Sequence, residues 1–371
     1  MAITLCLTHD CNLRCAYCYA GRKSCASMSR ETARAAIDFA VNRQVSARQP
    51  SLILGFFGGE PLLEWQTLQE ADAYADEKCR ASGLALQRTI TTNMTLLTED
   101  KIDWLVARHY RMGLSLDGTA ESHNISRVYA DGRGSHADCL RALHLADAHG
   151  ANAEIIAVAS PVNLSHLADS VRFLADQSHF DLAVNPDFTA TWSEQACVAF
   201  THQYEAIADF FIERFRVGKP IHVTWLNGKI KTHLYGGYQS CDKCRAGEKE
   251  LAVAPSGNFY PCPNLVADDA REDIRLGNVH TGFDYAKAAQ SLAHCGCTDP
   301  VCRDCPIVER CMNWCYCVNY FTSSGKPDHV GSFTCFHEKL AVRLADRVAE
   351  TLWAERNPDF IRIFYSTQQP S

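Results

Sequence analysis

Long apolar runs are missing from this 371-residue chain. None approaches the roughly 20 residues that a bilayer-spanning helix needs, which excludes a membrane span of that kind. The opening "MAITLCLTHD" lacks the basic start and apolar core of a signal peptide, so a cytoplasmic protein with reduced thiols is expected. Positive charge is also short. Lys and Arg total 36 against 43 Asp and Glu, a net charge of −7, and a general nucleic-acid binder needs the opposite balance. The fifteen histidines form no H-E-x-x-H or comparable metal spacing. No long repeat or low-complexity linker interrupts the sequence, and with residue 1 at the first predicted strand no N-terminal peptide-recognition domain is expected.

Cysteine is what the chain has in excess, with 19 residues. In a long, unexported chain, cysteines at short regular spacings point to metal ligands or catalysis rather than disulfides. Eleven fall into patterned groups. Of the others, Cys6 on the first strand and Cys79, Cys139 and Cys197 in helical patterns read as small buried or surface thiols.

Strand and helix patterns alternate six times. "AITLCL", "SLILGFF", "LQRTITTN", "YRMGLSLDG", "ANAEIIAVAS" and "FDLAVNPD" read as strands. Between them lie helices capped at Ser29 and Thr98 or closed at Gly150. Such alternation predicts a parallel sheet, and six units are too few for a complete eight-unit barrel. A partial barrel and an open doubly wound sheet both fit. Residues 193–235 read as a helical bridge. From about 236 cysteine, glycine and proline crowd in, and a domain boundary is placed there. "EKELAVAPSGNFYPC" reads as a hairpin around Gly257, and an amphipathic helix closes the chain from about 341.

"HDCNLRCAYC", "GGEP", "TTN" and "SLDG" all fall at or just after strand ends, the edge where parallel α/β proteins build their sites. Cys11, Cys15 and Cys18 are spaced C-x3-C-x2-C, one thiol short of a tetrahedral set. A zinc knuckle completed by His9 is one reading. The other is a 4Fe–4S cube held by three thiolates, with one iron open to a small molecule.

That triad, with Tyr17 before its last cysteine, resembles the signature of the radical S-adenosylmethionine (SAM) family. The resemblance implies that the open iron binds SAM and that reduction yields a 5′-deoxyadenosyl radical, with an electron donor such as flavodoxin or ferredoxin. It further implies that Gly58, Gly59, Glu60 and Pro61 receive the methionine ammonium, that Ser115 and Asp117 help hold the ribose or methionine part, and that Arg127 pairs with the carboxylate. "TTN" resembles a T-N-G element that would involve Asn93, but Met94 stands where the glycine would be.

The stretch from 241 to 335 resembles the seven-cysteine SPASM domain that follows many such domains. The implied architecture is a partial (β/α)6 TIM-like barrel over 1–192, the bridge over 193–235, a small cysteine-rich auxiliary-cluster domain over 236–340, and a C-terminal helix and tail over 341–371. The implied ligands of one auxiliary 4Fe–4S cluster are Cys244, Cys262 and Cys315 with Cys241 as fourth; Cys317, Cys295 and Cys297 compete for that place. Cys302, Cys305, Cys311 and Cys335 would hold the other, three clusters in all. Zinc ribbons are the alternative for these pairs. Relatives with this extension act oxidatively on peptide or protein side chains, so the expected product is a thioether or carbon–carbon crosslink in a ribosomal peptide, with precursor binding through a partner protein or the domains' own surface. Formylglycine formation is disfavoured because Pro263 replaces the family's aspartate after Cys262, leaving Asp117 or Asp242 as substitutes. A small-molecule substrate such as a haem precursor or a sugar, and a non-enzymatic metal-binding module, are the further alternatives.

Overall fold

A computed structural model describes residues 1–243, 245–294 and 296–365. The six alternating units are β1 (Ala2–Cys6), α1 (Arg30–Ser46), β2 (Ser51–Phe57), α2 (Trp65–Ala81), β3 (Ala85–Thr92), α3 (Glu99–Ala107), β4 (Tyr110–Ser115), α4 (Ala120–Ser126), α5 (His136–Ala148), β5 (Asn152–Ala159), α6 (Leu167–Gln177) and β6 (Asp181–Pro186). Each strand pairs in parallel with the next in sequence. Successive crossovers therefore run in one direction, and their common right-handedness puts the helices on one face, so the sheet curls into a partial TIM-like barrel. Ser29 caps α1, its Oγ accepting from Thr32 N at 3.0 Å. Thr98 stands at the N-cap of α3 without a side-chain bond to the helix backbone; its hydroxyl donates to Asp100 instead.

The helix-facing pleat carries Ile3, Leu5, Leu54, Phe56, Ile90, Met112 and Leu114, all buried. The opposite pleat is lined by smaller groups. Thr4, Gly55 and Thr89 are register partners, as are Thr91 and Gly113. A Cβ on Gly55 would stand 2.9 Å from Thr4 Oγ1 and 3.0 Å from Thr89 Oγ1, so any side chain there would crowd both hydroxyls. This face gives the barrel its open interior.

The helical bridge is α7 (Glu194–Arg216) and α8 (Thr224–Leu234). The sheet continues past the compositional change at 236. β7 (Glu250–Val253) pairs in parallel with β1, and β8 (Phe259–Tyr260) folds back antiparallel through Gly257, giving the strand order β6-β5-β4-β3-β2-β1-β7-β8. Then come β9 (Gly277–Asn278), β10 (Gly282–Phe283), α9 (Tyr285–Ala293), α10 (Pro300–Arg303), α11 (Tyr316–Thr322), α12 (Ser332–Ala354) and α13 (Pro358–Phe364). The C-terminal helix thus starts at Ser332, so Cys335 sits in its first turn. A satellite core of Cys6, Ala252, Tyr260, Leu265, Cys317 and Val318 ties the cysteine-rich segment to β1. Among the described residues, no helix is long and apolar enough to cross a membrane.

Candidate active site

The loop after β1 carries the first thiols, and the turn after β2 clamps it. Gly59 N donates to Thr8 O and Glu60 N to Asp10 O, each at 2.8 Å. These bonds require backbones in contact. A Cβ on Gly58, which has φ +133°, would lie 2.5 Å from Thr8 O, and one on Gly59 would lie 1.8 Å from Asp10 O. Asp10 Oδ1 then accepts from Cys11 N at 2.8 Å. "GGEP" therefore fixes the backbone that presents Cys11.

Cys11 is buried, and its sulfur receives Leu13 N at 3.4 Å and Asn93 Nδ2 at 3.6 Å. Burial pushes its thiol up to about 11. Cys15 is partly buried beside Arg127 and Cys18, and burial raises it too. Cys18 is exposed and takes Lys23 Nζ at 3.1 Å. His9 is buried, with its backbone N donating to Ala26 O; desolvation lowers its pKa.

Glu60 points inward rather than into the barrel mouth. Its Oε1 accepts from Leu62 N and Thr92 Oγ1, and its Oε2 from Asn93 N, at 2.8–3.0 Å. Burial outweighs those donors and lifts its carboxyl to about 7. The side chain staples the β2 turn to the end of β3, which leaves backbone carbonyls to attract a cation. Pro61 starts a short 3-10 turn and is buried. Asn93 donates to Cys11 Sγ and to Asn12 Oδ1, and Met94 keeps the turn open at φ +67° although it is fully buried.

Ser115 ends β4, and two residues on Asp117 is almost wholly buried. Its Oδ1 accepts from Val158 N at 3.0 Å, while Oδ2 accepts from Arg127 Nε at 3.1 Å and from the Tyr17 hydroxyl. The Arg127 guanidinium also lies 5.3 Å from the Tyr17 ring centroid. Tyr17, Asp117 and Arg127 thus lock the cysteine loop to β4 and β5. This unit is not legible in the sequence, where the three residues are singly assigned to the cofactor.

In the second field, Cys302, Cys305, Cys311 and Cys335 line one small cavity with Ile307, Val308 and Val330. Cys297 lies against Cys302. Behind them Lys229 and Glu338 form a buried ion pair of 2.6 Å. In the other set Cys262 and Cys315 come together, but Cys241 does not join them; it is exposed, with its sulfur 4.0 Å from Asp242 Oδ1. Cys244 and Cys295 lie outside the described residues. Cys317 instead meets the pair, 3.7 Å from Cys315 Sγ. Among the described residues no three His, Cys, Asp or Glu side chains gather as ligands of one metal ion.

Tyr19 joins the two fields. Its ring stacks on Phe57 at 6.4 Å and meets Phe321 at 6.5 Å. Burial drives its phenol well above the usual range, and Cys262, Cys18, Cys317 and Cys6 act on it in that order. Its only sequence signal is adjacency to Cys18.

Fold and site define an α/β partial barrel whose candidate site lies at the carboxyl edge of the sheet. Residues 5–174 match the Radical SAM superfamily. Residues 5–174 thus carry a radical SAM domain. Among curated relatives it is 31% identical over 168 residues to the uncharacterized protein MJ0907 of Methanocaldococcus jannaschii, 45% of this chain and 56% of that one. It thus spans little more than half of that relative's length. It is 23% identical over 324 residues to a cysteine-type anaerobic sulfatase-maturating enzyme of Clostridium perfringens, covering 82% and 85% of the two chains. To the mycofactocin maturase MftC of Mycobacterium ulcerans it is 27% identical over 345 residues, 85% and 83% of the chains. Of solved structures, native anSMEcpe with bound AdoMet superposes with a TM-score of 0.79 at 20% identity, over 94% of this chain and 98% of that one. Streptococcus suis SuiB bound to precursor peptide SuiA gives 0.60 at 14%, over 90% and 75%.

Proposed function

We propose that the chain binds SAM at a 4Fe–4S cluster held by Cys11, Cys15 and Cys18, and oxidatively modifies a peptide or protein side chain with the help of two auxiliary clusters. Once bound, cluster and SAM would supply a 5′-deoxyadenosyl radical able to take hydrogen from unactivated carbon. The donor set suits such a group. Cys11 already receives two N–H donors on sulfur, the kind of contact that orients and tunes a metal-bound thiolate. The Gly58–Gly59 turn holds the backbone of the Cys11 loop and Asn93 donates to the sulfur itself, while Ser115, Asp117, Arg127 and Tyr17 border the same edge.

One observation carries the oxidative reading: Tyr19, next to Cys18, stacks on Phe57 and meets Phe321 of α11, the helix that Cys315 opens. A substrate radical formed at the barrel mouth therefore has a route for its second electron a side chain away. The peptide class is supported by chain-wide similarity to maturases and by two structural neighbours solved with peptide, anSMEcpe with the Cp18Cys peptide and SuiB with precursor peptide SuiA.

Crosslink formation in a ribosomal peptide is the product favoured. Formylglycine formation needs a base near Cys262, where Pro263 stands. Asp117 is fully engaged by Val158, Arg127 and Tyr17, and Asp242 lies on an exposed turn, bonded to Gln239 N at 2.7 Å. The test is to incubate the anaerobically reconstituted chain, SAM and dithionite with the peptide encoded beside its gene. Loss of two hydrogens per modification, with a new inter-residue bond by tandem mass spectrometry, supports crosslinking. Conversion of a cysteine or serine to an aldehyde in a sulfatase-derived peptide would support the maturase reading instead.

A further inference from the structure

One cation at the junction of the two thiol fields has no ion pair among the described residues. Arg271 lies outside helix and strand, in the segment that follows the β7–β8 hairpin. Its guanidinium stands 5.4 Å from the ring centroid of Tyr320 and 5.3 Å from that of Phe321, both on α11. Nη1 is buried with no hydrogen-bond partner among the described residues. Three carboxylates close to it in sequence are engaged elsewhere. Asp273 accepts from the Tyr320 hydroxyl at 2.9 Å, Asp269 from the Tyr260 hydroxyl at 2.8 Å and Asn258 Nδ2 at 3.0 Å, and Glu272 faces Arg275 at 3.7 Å. The two rings offset part of the charge, but a buried N–H costs free energy until something accepts from it. The acceptor that best matches a planar guanidinium is a carboxylate.

The place of this arginine says what could bring one. Phe321 also meets Tyr19 at 6.5 Å, and Tyr19 stacks at 6.4 Å on Phe57, the last residue of β2. The segment before Arg271 touches the cysteine loop directly, since a Cβ on Gly21 would lie 2.8 Å from Asp268 N. A line of rings thus runs from the carboxyl edge of the sheet to Arg271, and Phe57, Tyr19, Phe321 and Tyr320 each keep part of their surface open. The ring spacings are close to the roughly 6.8 Å between alternate side chains of an extended peptide. Apolar rings at that spacing, ending on an unpaired cation, complement a peptide that carries apolar side chains and one carboxylate. On a chain of net charge −7, such a peptide needs a local cation to hold it in register.

We propose that Arg271 and the rings of Phe57, Tyr19 and Phe321 form a docking strip for an acidic peptide, with Arg271 receiving a side-chain carboxylate. The inference rests on the peptide reading above and narrows it to peptides that present an aspartate or glutamate beside the modified segment. Arg271 here selects and aligns the substrate; it takes no part in the bond changes.

The full chain, reconstituted anaerobically with SAM, is titrated by fluorescence polarisation with two labelled peptides. Both are Gly/Ser-rich, carry one phenylalanine, and differ two residues further on, where one has glutamate and the other glutamine. Both end in an amide, so the side chain is the one carboxylate on offer. The parent should bind the glutamate peptide about tenfold tighter, the size of one charge-assisted hydrogen bond, with the advantage shrinking as salt is raised. Arg271→Met keeps an apolar body against the rings and should bind both peptides alike; Arg271→Lys should restore part of the preference. Arg275→Met, which removes a neighbouring cation already facing Glu272, should leave the preference intact. Circular dichroism melts report whether each variant has folded. No preference in the parent, no binding of either peptide, or an undiminished preference in Arg271→Met overturns the proposal. Modification is read separately by mass, with the peptide encoded beside the gene. A glutamate preference without any loss of hydrogen supports the docking strip and defeats the oxidative reading; loss of hydrogen at a KM that Arg271→Met leaves unchanged does the reverse.

Discussion

Gly59→Ala tests how the barrel presents its first thiol. The added Cβ would stand 1.8 Å from Asp10 O and 2.5 Å from Asp10 C, backbone atoms with no rotamer to escape into. Asp10 has to retreat by more than 1 Å before ordinary contact is restored, and the bonds Gly59 N to Thr8 O and Glu60 N to Asp10 O go with it. At about 1 kcal/mol net for each bond plus residual strain, the loss is about 2–4 kcal/mol if the loop is held in place. The loop's alternative is to let go, sparing the fold and moving Cys11, whose N–H is bonded to Asp10 Oδ1. The variant should therefore lose about four irons on reconstitution while its melting temperature falls by no more than roughly 10 °C. Gly228→Ala is the control. That glycine lies within α8, and an added methyl would meet nothing within 4 Å, so alanine should raise stability by about 0.5–1 kcal/mol and leave iron untouched. Full iron loading and parental SAM cleavage by Gly59→Ala would refute the clamp.

Three further outcomes follow from particular contacts. Met94 pairs a left-handed backbone with a fully buried side chain, so both small substitutions leave a cavity costing about 2–5 kcal/mol, but only glycine relieves the backbone; thermal melts should rank parent above Met94→Gly and Met94→Gly above Met94→Ala, the reverse of helix or strand propensity. Lys229→Met strands the Glu338 carboxylate and should cost about 3–5 kcal/mol in urea titration, with much of that recovered in Lys229→Met/Glu338→Leu, which leaves no uncompensated charge. Burial, with Arg127 and His136 adding to it, depresses His123 to about 2, so the folded chain refuses a proton that the unfolded chain accepts below about pH 6.5. Stability tied to this residue is complete above that pH and lost as pH falls, by about 1.4 kcal/mol at pH 5.5. Glu60 and Glu250, both raised to about 7 by burial, act in the opposite sense. The readout is accordingly the difference between parent and His123→Gln, whose stabilities should converge on acidification.

The six strands were readable because each is a short apolar or alternating run bounded by turn residues, and parallel order follows from alternation with helices. The short helices α4 and α13 were not, since seven residues carry too little periodicity to stand out. The pairing of β7 with β1 was invisible for a different reason: it joins residues some 250 apart in sequence, and nothing local to "ELAV" announces its partner. At the site, residue types were legible and their partners were not. Two adjacent glycines announced a close approach, but that the Asp10 carbonyl fills the space is a tertiary fact. Glu60, Asp117 and Arg127 have the charges a cofactor would seek, yet much of their bonding capacity is spent on one another and on backbone groups. The left-handed turn that a glycine would ordinarily supply is present with methionine in its place, because the buried thioether side chain offsets the strain of the backbone.

Reductive cleavage of SAM measures the central claim most directly. Anaerobically reconstituted chain, given dithionite and SAM, should release 5′-deoxyadenosine and methionine and hold about twelve irons. The Cys11, Cys15 and Cys18 triple alanine variant should release neither and fall to about eight. Zinc in place of iron, or undiminished 5′-deoxyadenosine from the triple variant, would contradict it.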